Sequence, residues 1–434
     1  MIVSKRAVCQ YWLMYTILLM NQSVASMRYD IVFYYFIIAI ALVICASFCL
    51  NLLSKKRLLY PMVAMVVSIF VTRFTGGSAG IGYVVIVFSN LFAALLAYEI
   101  DREAAPRRYV NTICFFAVIS IIMFAFSRVA PDLVRNLLGL SFSQENIFSS
   151  GDGWVNGATW RYYGHIFYSF GREMNRNCGL YTEPGLYAIV IISAILVLLF
   201  RPEKTYFTRK QVTNRIILLT VTMITAASAT GLIMAIIAFG GAYMVKRRQG
   251  ENTTGFRYQN IVMLLGLVLL VALVDYFIRG EASFLDSYLL GKLTGLGFQR
   301  AVEMQDGSTG NARLIVLVQG IMAVIRYPLG AGTNRMSLIA QEFQSNYFNA
   351  GCGLAYFLGA LGIFGWSAIV SIFITPLRSQ TLVKKEQIVL LLIYILYGLS
   401  QANFWTSTLL IVVYIFEDDY YPEIEEYGWQ YFEG

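Results

Sequence analysis

The chain has 434 residues, of which 58% are hydrophobic and only 13% charged, and its mean hydropathy is +0.63. This composition excludes an ordinary soluble enzyme and predicts an all-α, polytopic integral membrane protein. The net charge of +8 does not indicate a nucleic-acid-binding protein. The basic residues form short blocks between apolar runs, where they report membrane topology instead.

The apolar runs predict about 12 transmembrane helices. A helix that crosses a bilayer needs roughly 20 apolar residues, and somewhat fewer when polar residues anchor its ends. Stretches that meet this requirement lie at 8–21, 31–53, 58–73, 81–100, 109–127, 184–200, 215–228, 231–245, 260–278, 352–376, 387–400 and 404–416.

Basic residues on the short connections predict the orientation of these helices. Twenty of the 33 lysines and arginines fall on one side if every stretch crosses, and the positive-inside rule makes that side the cytoplasm. Both termini, including an acidic tail at 417–434, then lie in the cytoplasm. Two stretches, 215–245 and 387–416, must each form a hairpin of two short helices with turns at 228–231 and 400–403. The alternative for each is one long, tilted helix.

The topology divides the rest of the chain into helical regions and two large outward-facing loops. Five transmembrane helices are expected in 1–127, a first large loop in 128–183, four transmembrane helices in 184–278, a second large loop in 279–351 and the C-terminal transmembrane helices in 352–416. Within the second loop the apolar run 314–325 is short for a crossing and is bounded by Arg313 and Arg326, which are costly in lipid. We expect a helix on the outer membrane face there.

Outward-facing basic residues are almost all arginine. Twelve of the 13 are arginine, whereas eight of the 20 cytoplasmic ones are lysine. The planar guanidinium binds phosphate and carboxylate through two parallel hydrogen bonds, so this bias favours a diphosphate or an acidic sugar as the partner. For each single arginine, the alternative is a salt bridge with an acidic residue of the same loops.

The sequence Glu183-Pro184-Gly185 opens an apolar stretch and has two interpretations. In the structural one, Thr182 caps the helix, Glu183 stabilises the first turn through the helix dipole, and Pro184 lacks only an N–H that would be unpaired there. In the functional one, Glu183 is a carboxylate fixed at the membrane surface that acts as a general base.

Cysteine and histidine usage does not indicate a metal site. His165 is the single histidine, and the six cysteines lack the spacing of metal ligands. Two of them, Cys178 and Cys352, lie in or beside outward segments. They form either a disulfide or two unpaired small residues.

Four motifs, in this order along the chain, resemble the Wzy-type O-antigen and exopolysaccharide polymerases, which share a fold with the O-antigen ligases. The motifs are an arginine followed by Glu-Pro-Gly in 176–188, the turn 228–231, a segment from Gly310 and Arg313 to the Pro-Leu-Gly-Ala-Gly of 328–332, and Ser345-Asn346 followed by the glycine-rich 359–362. Ser345 stands where the ligases, and many of the polymerases, have a histidine; the absence of this histidine weakens the ligase interpretation and favours a polymerase.

The resemblance implies a glycosyltransferase of the bacterial inner membrane that needs neither metal nor cofactor and whose large loops are periplasmic. It implies the joining of undecaprenyl-diphosphate-linked oligosaccharide repeat units into O-antigen, capsule or exopolysaccharide, with a chain-length regulator protein as a further partner. Glu183 is the expected base, and Arg176 and Arg313 are expected to bind the diphosphates. Further substrate-binding candidates are Arg161, Arg172, Arg300, Arg335, Tyr181 and Asn346. The alternatives are a ligase-type glycan transferase and a flippase for the lipid-linked oligosaccharide.

Overall fold

The structure is a computed structural model that describes residues 5–20, 23, 56–80, 82–130, 140–142, 160–163, 167–170, 176–181, 183–249, 310–343, 352–374, 382–401 and 406–417. Most of these residues are helical. The α-helices are α1 (Lys5–Leu19), α2 (Lys56–Phe74), α3 (Gly82–Glu99), α4 (Ala105–Val129), α5 (Pro184–Phe200), α6 (Arg209–Ala226), α7 (Ala229–Gln249), α8 (Gly310–Arg326), α9 (Gly332–Glu342), α10 (Gly353–Ile374), α11 (Lys384–Ser400) and α12 (Ser407–Glu417).

The helices follow the apolar runs of the sequence. Ten of the twelve predicted stretches coincide with a helix, whereas 31–53 and 260–278 lie outside the described residues. Two of the described helices, α4 and α10, are long and apolar enough to cross a membrane by length and composition. Within 215–245, the left-handed backbone of Ala227 (φ 48°) separates α6 from α7, so two helices stand there rather than one.

The prediction of an all-α chain missed a small antiparallel sheet in the first large loop. Its four strands pair in sequence order and are β1 (Leu140–Phe142), β2 (Trp160–Tyr163), β3 (Phe167–Phe170) and β4 (Arg176–Gly179). Aromatic residues favour pleated backbone, and β2 and β3 consist largely of them. The aromatic residues of the first large loop therefore form part of a strand pattern.

Helix α5 lies at the centre of the bundle. Sixteen of its 17 residues are buried, and it packs against α4, α6, α7, α12 and β4. A helix that is apolar on every side is stable only when it is enclosed. Two polar contacts reach α4: the hydroxyl oxygens of Tyr187 and Ser120 lie 2.6 Å apart, and those of Ser193 and Tyr109 lie 2.5 Å apart. The N-terminus of α5 is thus held in a fixed position.

Two helices expose apolar stripes on the outside of the bundle. On α2, Phe70 and Phe74 are 71% and 94% exposed, and Leu59 and Val63 continue the same stripe. On α4 the stripe consists of residues spaced three or four apart, namely Phe115, Val118, Ile122, Phe126 and Val129. Contiguous exposed apolar faces of this length are unusual on a protein surrounded by water.

Helix α10 is interrupted at Gly362, whereas the sequence predicts one continuous helix over 352–376. Gly362 has φ 62° and ψ −159°, a conformation that essentially only glycine adopts. The loop after α8 crosses α10 at this break: the Ile363 N–H donates to Pro328 O (3.0 Å), and the Ala331 N–H donates to Gly359 O (2.9 Å). The break in α10 leaves a backbone N–H and a backbone C=O without helical partners, and the crossing loop forms hydrogen bonds with both.

Candidate functional site

Glu183 is the residue at which α5 begins. It occupies the N-cap position with extended backbone (φ −123°, ψ 134°), and Pro184 is the first helical residue. The expectation that Thr182 caps the helix was wrong by one position. The Glu183 side chain makes no capping hydrogen bond to its own helix. Glu183 therefore does not cap α5 through its side chain.

Arg313 lies in the first turn of α8, near enough to Glu183 for their charges to interact. Burial lowers the pKa of the Arg313 guanidinium, while the nearby Glu183 carboxylate and the Cys352 thiol raise it. Both side chains are half-buried. The structure thus brings together the two residues that the sequence singles out in different loops.

Gly185 brings two turns of the chain against the start of α5. A Cβ atom at position 185 would lie 2.8 Å from the Gln401 Nε2 and 3.8 Å from the Ser228 Oγ. Gly231 lies against Ala188 on the next turn of the same helix. Ser228 and Gln401 are both buried and only 4% exposed. The two hairpin turns predicted from the sequence therefore meet at the N-terminus of α5.

Cys352 and Gly353 complete this arrangement. The Gly353 N–H donates to Gln401 O at 2.8 Å, which fixes the start of α10 beside the second turn. Cys178 and Cys352 are both buried free thiols, so the disulfide interpretation was wrong. We call Glu183, Ser228, Arg313, Cys352 and Gln401 the Glu183 cluster.

Four helices begin at the Glu183 cluster. They are α5 at Pro184, α7 at Ala229, α8 at Gly310 and α10 at Gly353. Ser228 caps α7, because its Oγ accepts from the Gly231 N–H at 3.3 Å. Each helix N-terminus carries a partial positive charge of about half an elementary charge, and such termini bind anions. Together with Arg313, they make the cluster a positively charged site that contains one carboxylate.

Arg176 contacts the end of α6. It lies in β4, and its guanidinium donates from Nη2 to Ala227 O at 2.7 Å and from Nε to Ala226 O at 3.4 Å. These carbonyls end α6, so the positive charge lies at the negative end of that helix. Arg176 therefore fixes the turn that carries Ser228, and these contacts favour a positioning role over direct binding of a diphosphate.

The Pro-Leu-Gly-Ala-Gly segment and the glycine-rich stretch of α10, two of the motifs that carry the family resemblance, lie against each other. Gly330 and Gly362 have positive φ angles of 116° and 62°, and their backbones are in direct contact. Arg335 supports this crossing, since its Nη2 donates to Thr75 O at 2.6 Å and its guanidinium lies 4.5 Å from the centre of the Tyr327 ring. Arg335 is thus occupied with packing rather than placed in the Glu183 cluster.

The other predicted site residues do not join the cluster among the described residues. Tyr181 is 3% exposed and bridges to Ser23, so it does not present its ring to a sugar. Arg161 lies in β2 opposite Ser141. Arg172, Arg300 and Asn346 lie outside the described residues.

Sequence reasoning identified Ser228 and Gln401 as turn residues but not as parts of a site. The sequence feature that could have found them is a small or amide residue in a hairpin turn between two short helices. Such a turn leaves backbone polar groups inside the protein that need hydrogen-bond partners. Within the described ranges there is no group of three histidine, cysteine or acidic side chains that could hold a metal ion. No protein-family model matches the chain, and no curated protein matches it.

Proposed function

We propose that the chain is a polytopic inner-membrane glycosyltransferase that polymerises undecaprenyl-diphosphate-linked oligosaccharide repeat units at the periplasmic face. The observation that carries this proposal is the Glu183 cluster, where the starts of four helices and Arg313 come together with the Glu183 carboxylate. A lipid diphosphate is the anion that such a charge distribution would stabilise as a leaving group.

The membrane placement is supported by the exposed apolar stripes of α2 and α4 and by the distribution of basic residues. Together with the ten apolar stretches that coincide with helices, these features favour about 12 transmembrane helices with two large periplasmic loops. Both termini then lie in the cytoplasm. The Glu183 cluster falls on the opposite, periplasmic side, where the lipid-linked substrate would be presented.

The proposed reaction assigns one role to each charged residue. Glu183 accepts the proton of the acceptor sugar hydroxyl, whose oxygen attacks the anomeric carbon of the donor glycan. The bond from that carbon to the diphosphate breaks, and Arg313 and the helix N-termini stabilise the departing undecaprenyl diphosphate. Direct displacement of this kind inverts the anomeric carbon.

The surface polysaccharide of a deletion strain distinguishes this function from its alternatives. A polymerase defect leaves single repeat units on the cell surface. Loss of a flippase leaves no surface sugar, and loss of a ligase leaves long chains on undecaprenyl diphosphate. Restoration of long chains by the wild-type chain but not by E183Q would support the proposal, whereas long chains made without the protein would contradict it.

A further inference from the structure

A groove lies between α1, α4 and α6, away from the Glu183 cluster. Its volume is about 680 Å³. Apolar and aromatic side chains line most of it, namely Tyr11, Tyr15, Phe115, Phe116, Val118 and Leu218. The Tyr15 and Phe116 rings stack at 5.4 Å. Tyr11, Phe115 and Phe116 lie in the first half of their helices, whereas Tyr15, Val118 and Leu218 lie beyond the middle. The three helices start on the side that carries the basic blocks, so the groove runs from that side toward the middle of the helices.

Arg215 lines the polar end of the groove, and it shares one aromatic ring with Arg107, which lies beside the groove. The guanidinium of Arg215 lies 3.8 Å from the centre of the Phe207 ring, and that of Arg107 lies 5.9 Å from it. Their mutual interaction is unfavourable because both are positive. Neither forms a salt bridge with any carboxylate in the described part of the chain.

Arg215 also has hydrogen-bonding capacity that the protein does not use. Its Nη2 donates to Asn111 Oδ1 at 3.0 Å, and its Nη1 donates to Gln211 O at 3.3 Å. Its buried Nε has no hydrogen-bond partner among the described residues. Two repelling guanidinium groups that have no carboxylate partner among the described residues are suited to bind an anion that bridges them.

We infer that this groove binds an anionic glycerophospholipid of the cytoplasmic leaflet, with its phosphate at Arg107 and Arg215 and an acyl chain along Tyr15, Phe116 and Leu218. The inference rests on the membrane placement proposed above, but not on glycosyl transfer. A soluble anion would leave the apolar groove empty, and an apolar partner would leave the two charges unneutralised. A phospholipid supplies both groups at the depth where the helices begin.

Native mass spectrometry of the full-length protein, released from vesicles of phosphatidylglycerol and phosphatidylcholine, measures this preference. We expect the wild-type protein to retain phosphatidylglycerol preferentially. The preference should fall by about fivefold for each arginine removed in R107A and R215A. K210A is the matched control, because Lys210 is an exposed basic residue on the same helix that does not line the groove, and its lipid preference should be unchanged.

A second variant tests the apolar groove separately from the two arginines. V118W places a large ring in the groove while both arginines remain, and Val118 is exposed enough (43%) to accept it without disturbing the core. We expect V118W to lose bound lipid. If R215A does not fold, as judged by its melting temperature, R107A and V118W still decide the question.

Three results would overturn the inference: equal retention of phosphatidylcholine, retained lipid in both R107A and V118W, or a dimer that V118W disrupts while lipid is unaffected. Displacement of the lipid by inorganic phosphate alone would also contradict a role for the acyl chain. The lipid preference is measured on purified protein, so its failure is distinguishable from a failure of glycan polymerisation in cells.

Discussion

The guanidinium of Arg313 and the carboxylate of Glu183 lie near enough for their charges to interact, and the two residues stand at the N-termini of helices from different large loops. Arginine stays protonated in proteins, so this is a pairing of opposite charges. An arriving diphosphate would compete with Glu183 for Arg313. The carboxylate would thereby be released when a substrate is bound, which is when a base is needed.

E183Q should abolish long surface glycan while the protein remains in the membrane at normal levels. The amide keeps the shape of the side chain but cannot accept a proton, and loss of a general base typically lowers a rate by about 10²–10⁴-fold. Gel analysis of surface polysaccharide, with quantification of the protein in membranes, measures the effect. E342Q is the control, because Glu342 is an exposed acidic residue in a salt bridge with Arg326; long glycan lost equally in E342Q would argue against a specific role of Glu183.

R313Q should reduce the surface glycan to single repeat units, and R313K should give an intermediate length. Lysine keeps the positive charge but lacks the planar fork that binds a diphosphate through two hydrogen bonds. R326Q is the matched control on the same helix, since Arg326 is exposed. Wild-type chain length in R313Q would remove Arg313 from the mechanism.

R176Q should destabilise the protein rather than block the reaction. It removes the charged donors that bind Ala226 O and Ala227 O, at a cost of about 1.5–3 kcal/mol. We expect a lower melting temperature of the purified protein and a loss of glycan no larger than the loss of folded protein. Normal stability with no polymerisation would instead assign Arg176 to substrate binding.

G185A should destabilise the start of α5, and the additional change Q401A should reverse the effect. The new methyl group would lie 2.8 Å from Gln401 Nε2, and such overpacking costs about 1–3 kcal/mol. The melting temperatures of the two single variants and the double variant form a mutant cycle. G240A is the control, because a Cβ at Gly240 meets nothing within 4 Å. Additive effects of G185A and Q401A would mean that the two residues do not contact.

G362A should prevent normal folding of the α10 region. Alanine at φ 62° and ψ −159° is strained, and its Cβ would collide with the backbone of Gly330. A strong loss of folded protein in membranes is expected, with G82A as a control because Gly82 has open space around it. A G362A protein that folds with wild-type yield would show that α10 can be continuous.

The helices that follow apolar runs were predictable from the sequence because each run is long enough to determine its own structure, as α5 shows with bounds that match the predicted 184–200. Helix α9 was not predicted, because Gly332–Glu342 is short and mostly polar. The sheet was not predictable, because its strands have only three or four residues and lie in a polar loop. Arg313 and Glu183 were identifiable by residue type and motif. Their proximity to Ser228 and Gln401 depends on tertiary packing of hairpin turns, which no local pattern encodes.

Because α5 is enclosed by the bundle and α8 is not, Glu183 and Arg313 differ in how easily they can move. The carboxylate stands on a helix buried on every side, so it cannot shift without disturbing the centre of the bundle. Arg313 stands on α8, which packs mainly on α9 and α10 and leaves Ile321 and Ile325 exposed by 48% and 75%. We therefore expect the passage of a growing glycan to be accommodated by displacement of α8, with α5 as the stationary reference.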